Sequence, residues 1–443
     1  MILFAHGIVG RADLPIPVSL FAAAAAAVLV VSFAALAAGW SQPRLRRLRG
    51  RALFALPRVL EVFLGGLGVF LFALTAYAGL AGTDAQSENL APTAVYVGFW
   101  VAVPFASLLF GDVWRAISPW RAVGRAVGWV GARFGEPPEA LPYPARAGRW
   151  PAAAVIFGFA VCELCWASAT EPGTLGILML AYFAAMLVGM SIYGVEPWVR
   201  YADGFGVLFG LIGSLAPLGR REDGRLVLRV PGTGTARLAP VIGAAGVLLV
   251  SVGSTAFDGA KEGALFNNLA IDLQDAFHSI GLPLSTSLEL GFIIGLAAAI
   301  AIVSVIWTLG MLGTGSLASA RAFAHTLVPI AAGYLVAHYF SLLAYNGQDL
   351  WRLINDPLGR GSDLFGGAGR SIDYSVITAT GIWYVQVGAL VIGHVAALIL
   401  AHDRALERYG SASAATRSQV VMLMLMVAFT CLGLWLLSAA LNT

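Results

Sequence analysis

Charge is scarce in this chain of 443 residues: 12% are Asp, Glu, Lys or Arg, against about 25% in a soluble domain. Hydrophobic residues make up 59% and mean hydropathy is +0.81, an excess that no water-soluble core absorbs. Lysine is almost missing. Lys261 stands alone beside 26 arginines, which removes most lysine chemistry. No G-x-x-x-x-G-K-[ST] run occurs, so ATP hydrolysis is not expected of this chain alone, and H-E-x-x-H, G-x-S-x-G and dinucleotide-binding patterns are absent too. Three cysteines in apolar surroundings build no disulfide framework. The net charge of +3 comes from loop arginines and points to no nucleic acid.

What the chain does contain is apolar runs of about 20 residues, the length of a membrane-crossing helix. Inside a bilayer no water satisfies the backbone, so such runs must be helical rather than open strands. The fold class expected is an all-α polytopic membrane protein forming one transmembrane domain. Ten spans are predicted, at 18–40, 60–81, 94–110, 150–168, 174–193, 240–256, 286–312, 322–344, 378–401 and 419–441. The N-terminal MILFAHGIVGRADLPIP is too polar and proline-broken for a cleaved signal peptide, so the first span is expected to stay uncleaved.

Arginine orients the spans. Arg44 to Arg51, Arg115 to Arg149, Arg200 to Arg237, Arg321 and Arg404 to Arg417 fall on one side, and only Arg11, Lys261, Arg352, Arg360 and Arg370 on the other. Basic residues concentrate in cytoplasmic loops, so loops 111–149 and 194–239 are placed inside, loops 258–285 and 345–377 outside, and both termini are extracytoplasmic. The location expected is a plasma membrane.

Two cytoplasmic stretches read as helices that do not cross. In 118–134, Ser118 can cap and Pro119 can open a helix whose stripe is Trp120, Val123, Val127, Val130 and Phe134; Trp129 falls off that stripe. In 203–215, Phe205, Leu208, Phe209, Ile212 and Leu215 share a face opposite three glycines, over a length too short to span. That stretch is interfacial or re-entrant. Asp223-Gly224 then marks the turn of a polar hairpin within 219–234.

Ionisable groups inside spans are functional hypotheses by default. His325, His394 and His402 are expected to converge toward the cytoplasmic ends of the eighth and ninth spans, with Asp403 nearby, as ligands of a divalent transition metal such as zinc or copper. Haem between His325 and His394 is less favoured. The histidine spacings of 13 and 8 on the two helices do not match, as a two-haem arrangement requires. His338 lies further out, level with Gln386. Pro329 deprives the His325 carbonyl of its helical partner and should kink the helix there. A second, outer candidate group comprises His6, Asp13, Asp258, Asp272, Asp275, His278 and Glu289, and Glu163 sits within a Cys162-x-x-Cys165 pair in the fourth span.

The motifs HGIVGRADLPIP at 6–17, SPWRAVGR at 118–125, STAFDG at 254–259, RAFAHTLVPIAAGYLVAHYFSLL at 321–343 and WYVQVGALVIGHVAALILAHDRAL at 383–406 carry a further expectation. Over nearly its whole length the chain resembles a multi-pass family, common in actinobacteria, that is named fenitrothion hydrolase. The resemblance implies hydrolysis of an organophosphate triester, in which a metal activates water and polarises the phosphoryl oxygen. His325, His394 and His402 would be its ligands, with Asp403 ligating or supporting. Fenitrothion is man-made, so the natural substrate is another small molecule. The alternatives of other classes are a transporter or metal-handling carrier, cued by Pro329 and the glycine-rich re-entrant stretch, and a haem-binding electron-transfer subunit. Expected partners are the lipid bilayer and that substrate, with partner membrane subunits left open.

Overall fold

Apolar runs flanked by arginine fold here as long helices because every backbone N–H and C=O then bonds within its own segment. The structure, a computed structural model, describes residues 18–136, 139–221, 223–315 and 320–439. Its helices are α1 (Val18–Gly39), α2 (Arg58–Ala81), α3 (Leu90–Phe110), α4 (Pro119–Gly131), α5 (Trp150–Leu164), α6 (Pro172–Tyr193), α7 (Gly204–Gly213), α8 (Ala244–Ala260), α9 (Ala264–Ser279), α10 (Leu284–Gly313), α11 (Leu327–Asn355), α12 (Ala379–Tyr409) and α13 (Val420–Ala439), joined by shorter turns of helix.

Seven of the described helices are long and apolar enough to cross a membrane: α1, α2, α3, α6, α10, α12, and α11 with the turn before it. An eighth span results if Ala412–Ser418 and the start of α13, bent by 41°, are taken together. Shorter apolar helices, α5 and α8, occupy the remaining two predicted positions. The protein is therefore mostly helical and multi-pass.

Burial ranks these helices. In the stretch Ala320–Asn355, 67% of the apolar window is buried, against 17% for α2 and for α10, so α11 is central and the other two are peripheral. Its closest neighbour is α12, and glycine decides how close. A Cβ on Gly333 would lie 2.7 Å from the Ala389 carbonyl oxygen, and one on Gly393 would lie 2.6 Å from that of Pro329. Small residues at a crossing let backbones touch where apolar lipid offers no driving force for association.

Three short or irregular segments lie beside α11, two of which depart from regular α-helix. Within α3, Ala94–Ala102 winds as a π-helix. Ala324–Thr326 forms a 3₁₀ turn at the foot of α11, so the break falls at His325 itself, just ahead of Pro329. The third is α7, only 10 residues long and buried along almost all of it. Expected to be interfacial or re-entrant, this stretch has its side chains enclosed by the neighbouring helices. Asp203 caps it, accepting from the Gly206 N–H at 3.1 Å, the Trp120 indole at 2.8 Å and the Tyr182 hydroxyl at 2.9 Å.

The predicted hairpin is present as β2 (Leu218–Arg220) and β3 (Arg225–Leu228), turning at Gly224 with φ of 84°. A strand not expected from sequence, β1 (Arg51–Ala55), pairs antiparallel with β3 to give the order β1-β3-β2. This small sheet is an addition to an otherwise mostly helical chain, consistent with the expected all-α class. Glu61 of α2 forms an ion pair with Arg220 of the sheet. The half-buried arm of Arg229 donates to the Ser214 and Ala216 carbonyls at 3.1 Å each, satisfying groups that the end of α7 leaves open.

Candidate functional site

α8 is an apolar helix whose last turn, Phe257 to Ala260, carries the Asp258 carboxylate inward, where it is 2% exposed. Two cations or potential cations share that carboxylate. Lys261, which closes the helix by donating its N–H to the Phe257 carbonyl, turns its ammonium back to Oδ1 at 2.8 Å. His338 of α11 brings Nε2 to Oδ2 at 2.6 Å. Both partners are themselves largely covered, with side-chain exposures of 11% and 13%. The next residue on α11, Tyr339, is buried, and its hydroxyl lies within hydrogen-bonding reach of Glu163, one residue before the end of α5. Glu163 also lies near enough to feel the charges of Asp258 and Lys261.

Helices α5, α8 and α11 thus bring two carboxylates, an ammonium, an imidazole and a phenol to one place in an apolar bundle. An isolated buried charge is costly to desolvate, and here the Asp258 carboxylate is held by Lys261 and His338 together.

The sequence-predicted inner group is arranged differently. His325, His394, His402 and Asp403 are all buried, but each has its own environment. His402 Nε2 donates to the Trp40 carbonyl at 2.9 Å, and Gln419 lies 3.4 Å from its Nδ1. Asp403 Oδ1 accepts from the Arg44 N–H at 2.6 Å, the Leu45 N–H at 3.2 Å and the Trp40 indole at 3.2 Å. Together they clamp the turn that follows α1. His394 sits eight residues earlier on α12, about 12 Å of helical rise away, with Nδ1 on the Leu390 carbonyl at 2.8 Å and its ring against Tyr334. Among the described residues no three His, Cys, Asp or Glu side chains converge to hold a metal ion.

Other candidates are dispersed. Asp272, Asp275 and His278 are exposed on α9, where His278 Nδ1 bonds the Leu282 carbonyl at 2.8 Å. Glu289 receives the Ala167 N–H at 3.3 Å. Gln386 is partly buried on α12, and Cys162 and Cys165 are free thiols. His6 and Asp13 lie outside the described residues. The pairing of Asp258 with Lys261 and His338 was missed in sequence, although a signal existed: the chain's single lysine follows an aspartate by three residues, one helical turn. Comparison with known proteins finds no matching family model, no matching curated protein and no matching solved structure.

Proposed function

We propose that the chain is a proton-handling carrier for a small molecule, with Asp258, Lys261, His338 and Glu163 as its proton-binding centre. The observation that carries this reading is the buried Asp258 carboxylate shared by Lys261 at 2.8 Å and His338 at 2.6 Å inside an apolar bundle. Intramembrane carboxylates and histidines are the usual parts of proton relays, and a carrier retains them despite their cost. Support comes from the interrupted helices around α11. The π segment of α3, the 3₁₀ turn at His325 and the enclosed α7 resemble the broken elements on which transporters build their sites. In this reading ten helices cross a plasma membrane, the arginine-rich face is cytoplasmic, both termini are outside, and the proton site lies toward the outer surface.

The test is uptake into proteoliposomes under an imposed inward proton gradient, with a mixture of bacterial metabolites supplied outside and the accumulated species identified by mass spectrometry. Gradient-dependent accumulation that disappears in Asp258→Asn and in His338→Ala supports the reading. Accumulation unchanged in both variants sinks it.

A second reading follows from the sequence resemblance, namely hydrolysis of an organophosphate triester. What favours it here is the same Asp258–His338 contact, since a carboxylate that orients an imidazole is the arrangement general-base catalysis uses, and Lys261 alongside can offset charge developing on a phosphoryl oxygen. Release of nitrophenolate from fenitrothion, lost in His338→Ala, is the outcome that would favour it over the carrier.

A further inference from the structure

At the arginine-rich end of the bundle, α4 is held by only half of its length. Its first turns pack against α2 and α6: a Cβ on Gly65 would meet that of Ala122 at 3.1 Å, and one on Gly124 would meet Met190 at 3.1 Å. Ser118 caps the helix, and Arg121 is tied to Glu196 at 2.6 Å. Beyond Gly124 the helix leaves the bundle. There Val127 is 63%, Trp129 61% and Phe134 88% exposed, an unusual concentration of large apolar groups for a polar face of the molecule.

Charge says what covers this free half. Glu196 is already engaged by Arg115 and Arg121, and among the described residues no carboxylate forms an ion pair with Arg125 or Arg133. The Arg133 guanidinium stacks over the Trp129 ring at 3.7 Å, so cation and aromatic face leave the helix together. No acidic residue occurs from Ser118 to Gly135. Apolar side chains beside unpaired arginines and an interfacial tryptophan are complementary to a lipid surface whose headgroups carry negative phosphates.

We infer that the outer half of α4 and the turn that follows it, with Arg125 and Arg133, dock on the anionic phospholipids of the adjacent leaflet and anchor this end of the protein to it. Val127 and Phe134 enter the acyl boundary, while Trp129, off their stripe and stacked on Arg133, sits at headgroup level where the two guanidinium groups bind lipid phosphate. The inference is independent of the carrier reading.

Hydrogen exchange of the full chain in nanodiscs tests it, comparing discs of phosphatidylcholine alone with discs containing phosphatidylglycerol. Each arginine near an anionic surface is worth about a fivefold preference, so amides 125–134 should exchange about thirtyfold more slowly in the anionic discs. Arg125→Gln with Arg133→Gln should abolish that difference, while amides 119–124 stay unchanged and report an intact fold. Equal exchange in both lipids, or an anionic effect that survives the double variant, overturns the inference. So does protection that appears on adding inorganic phosphate to neutral discs, which would mean a free-anion site. Protection seen only with two chains per disc would instead identify a second copy as the occupant and likewise overturn it.

Discussion

Replacing Asp258 by Asn removes one charge and almost no volume, yet it should be among the most damaging single changes in the bundle. The carboxylate holds Lys261 at 2.8 Å and His338 at 2.6 Å and is 2% exposed. Asn keeps one oxygen that can accept a hydrogen bond, so what is lost is the charge opposite a covered ammonium. Removing one partner of such a buried pair costs about 3 to 5 kcal/mol, because the other is left without compensation. With one acceptor preserved, Asp258→Asn should cost about 3 kcal/mol. Lys261→Met should cost less, since His338 still bonds Asp258. The double variant removes both charges, so its loss should fall short of the summed single losses by at least about 1 kcal/mol. Unfolding in a detergent–denaturant series, followed by tryptophan fluorescence, measures all three. Additivity within about 0.5 kcal/mol would show that Asp258 and Lys261 do not share a buried interaction, and the proton-site reasoning would fall with it.

Asp403→Ala should free the turn after α1, because three donors lose their common acceptor, and trypsin should then cleave at Arg44, Arg46 or Arg47 far faster than in the parent. The same variant should leave the metal content of purified protein unchanged, which separates a clamp from a ligand. Gly333→Val should force α11 and α12 apart, since even a Cβ there lies 2.7 Å from a carbonyl oxygen, and should destabilise by about 1 to 3 kcal/mol in the same unfolding assay. For Glu196, burial pushes the carboxyl up, but the charge and hydrogen bond of Arg121 and the charge of Arg115 outweigh it and hold it below the ordinary 4.5. A depressed carboxyl contributes its stability above the unfolded value and loses it as pH falls through the folded one. Acidification from pH 7 to below about 4.5 should therefore loosen α4, read as faster exchange at 119–124, and Glu196→Gln should remove that pH dependence.

Much of the architecture was legible because its causes are local. A run of apolar residues and the arginines that flank it require no knowledge of neighbours, so helices appear at all ten predicted positions. Ser118 was readable as a cap for the same reason, bonding an N–H three residues ahead; Asp203 caps its helix in the same way without having been expected to. The strand Arg51–Ala55 was not, since its partner Leu228 lies far along the chain and the arginines around it suggest only a cytoplasmic loop.

The candidate site divides along the same line. Sequence alone determined that His338, Glu163, His394 and His402 are rare polar groups on apolar helices; that α8 runs on past the expected span to place Asp258 one turn from Lys261 came from the structure. Which of them meet was decided only in three dimensions. Rarity drew attention to the inner histidines, but at those positions the end of α1 approaches closely enough to supply Trp40, Arg44 and Leu45 as partners, and His402 and Asp403 are consumed in holding it. Asp258 finds His338 across 80 residues of chain. Hydropathy sets how deep a residue lies in the bilayer, but the rotation of each helix about its axis is set by packing, and rotation chooses the partner.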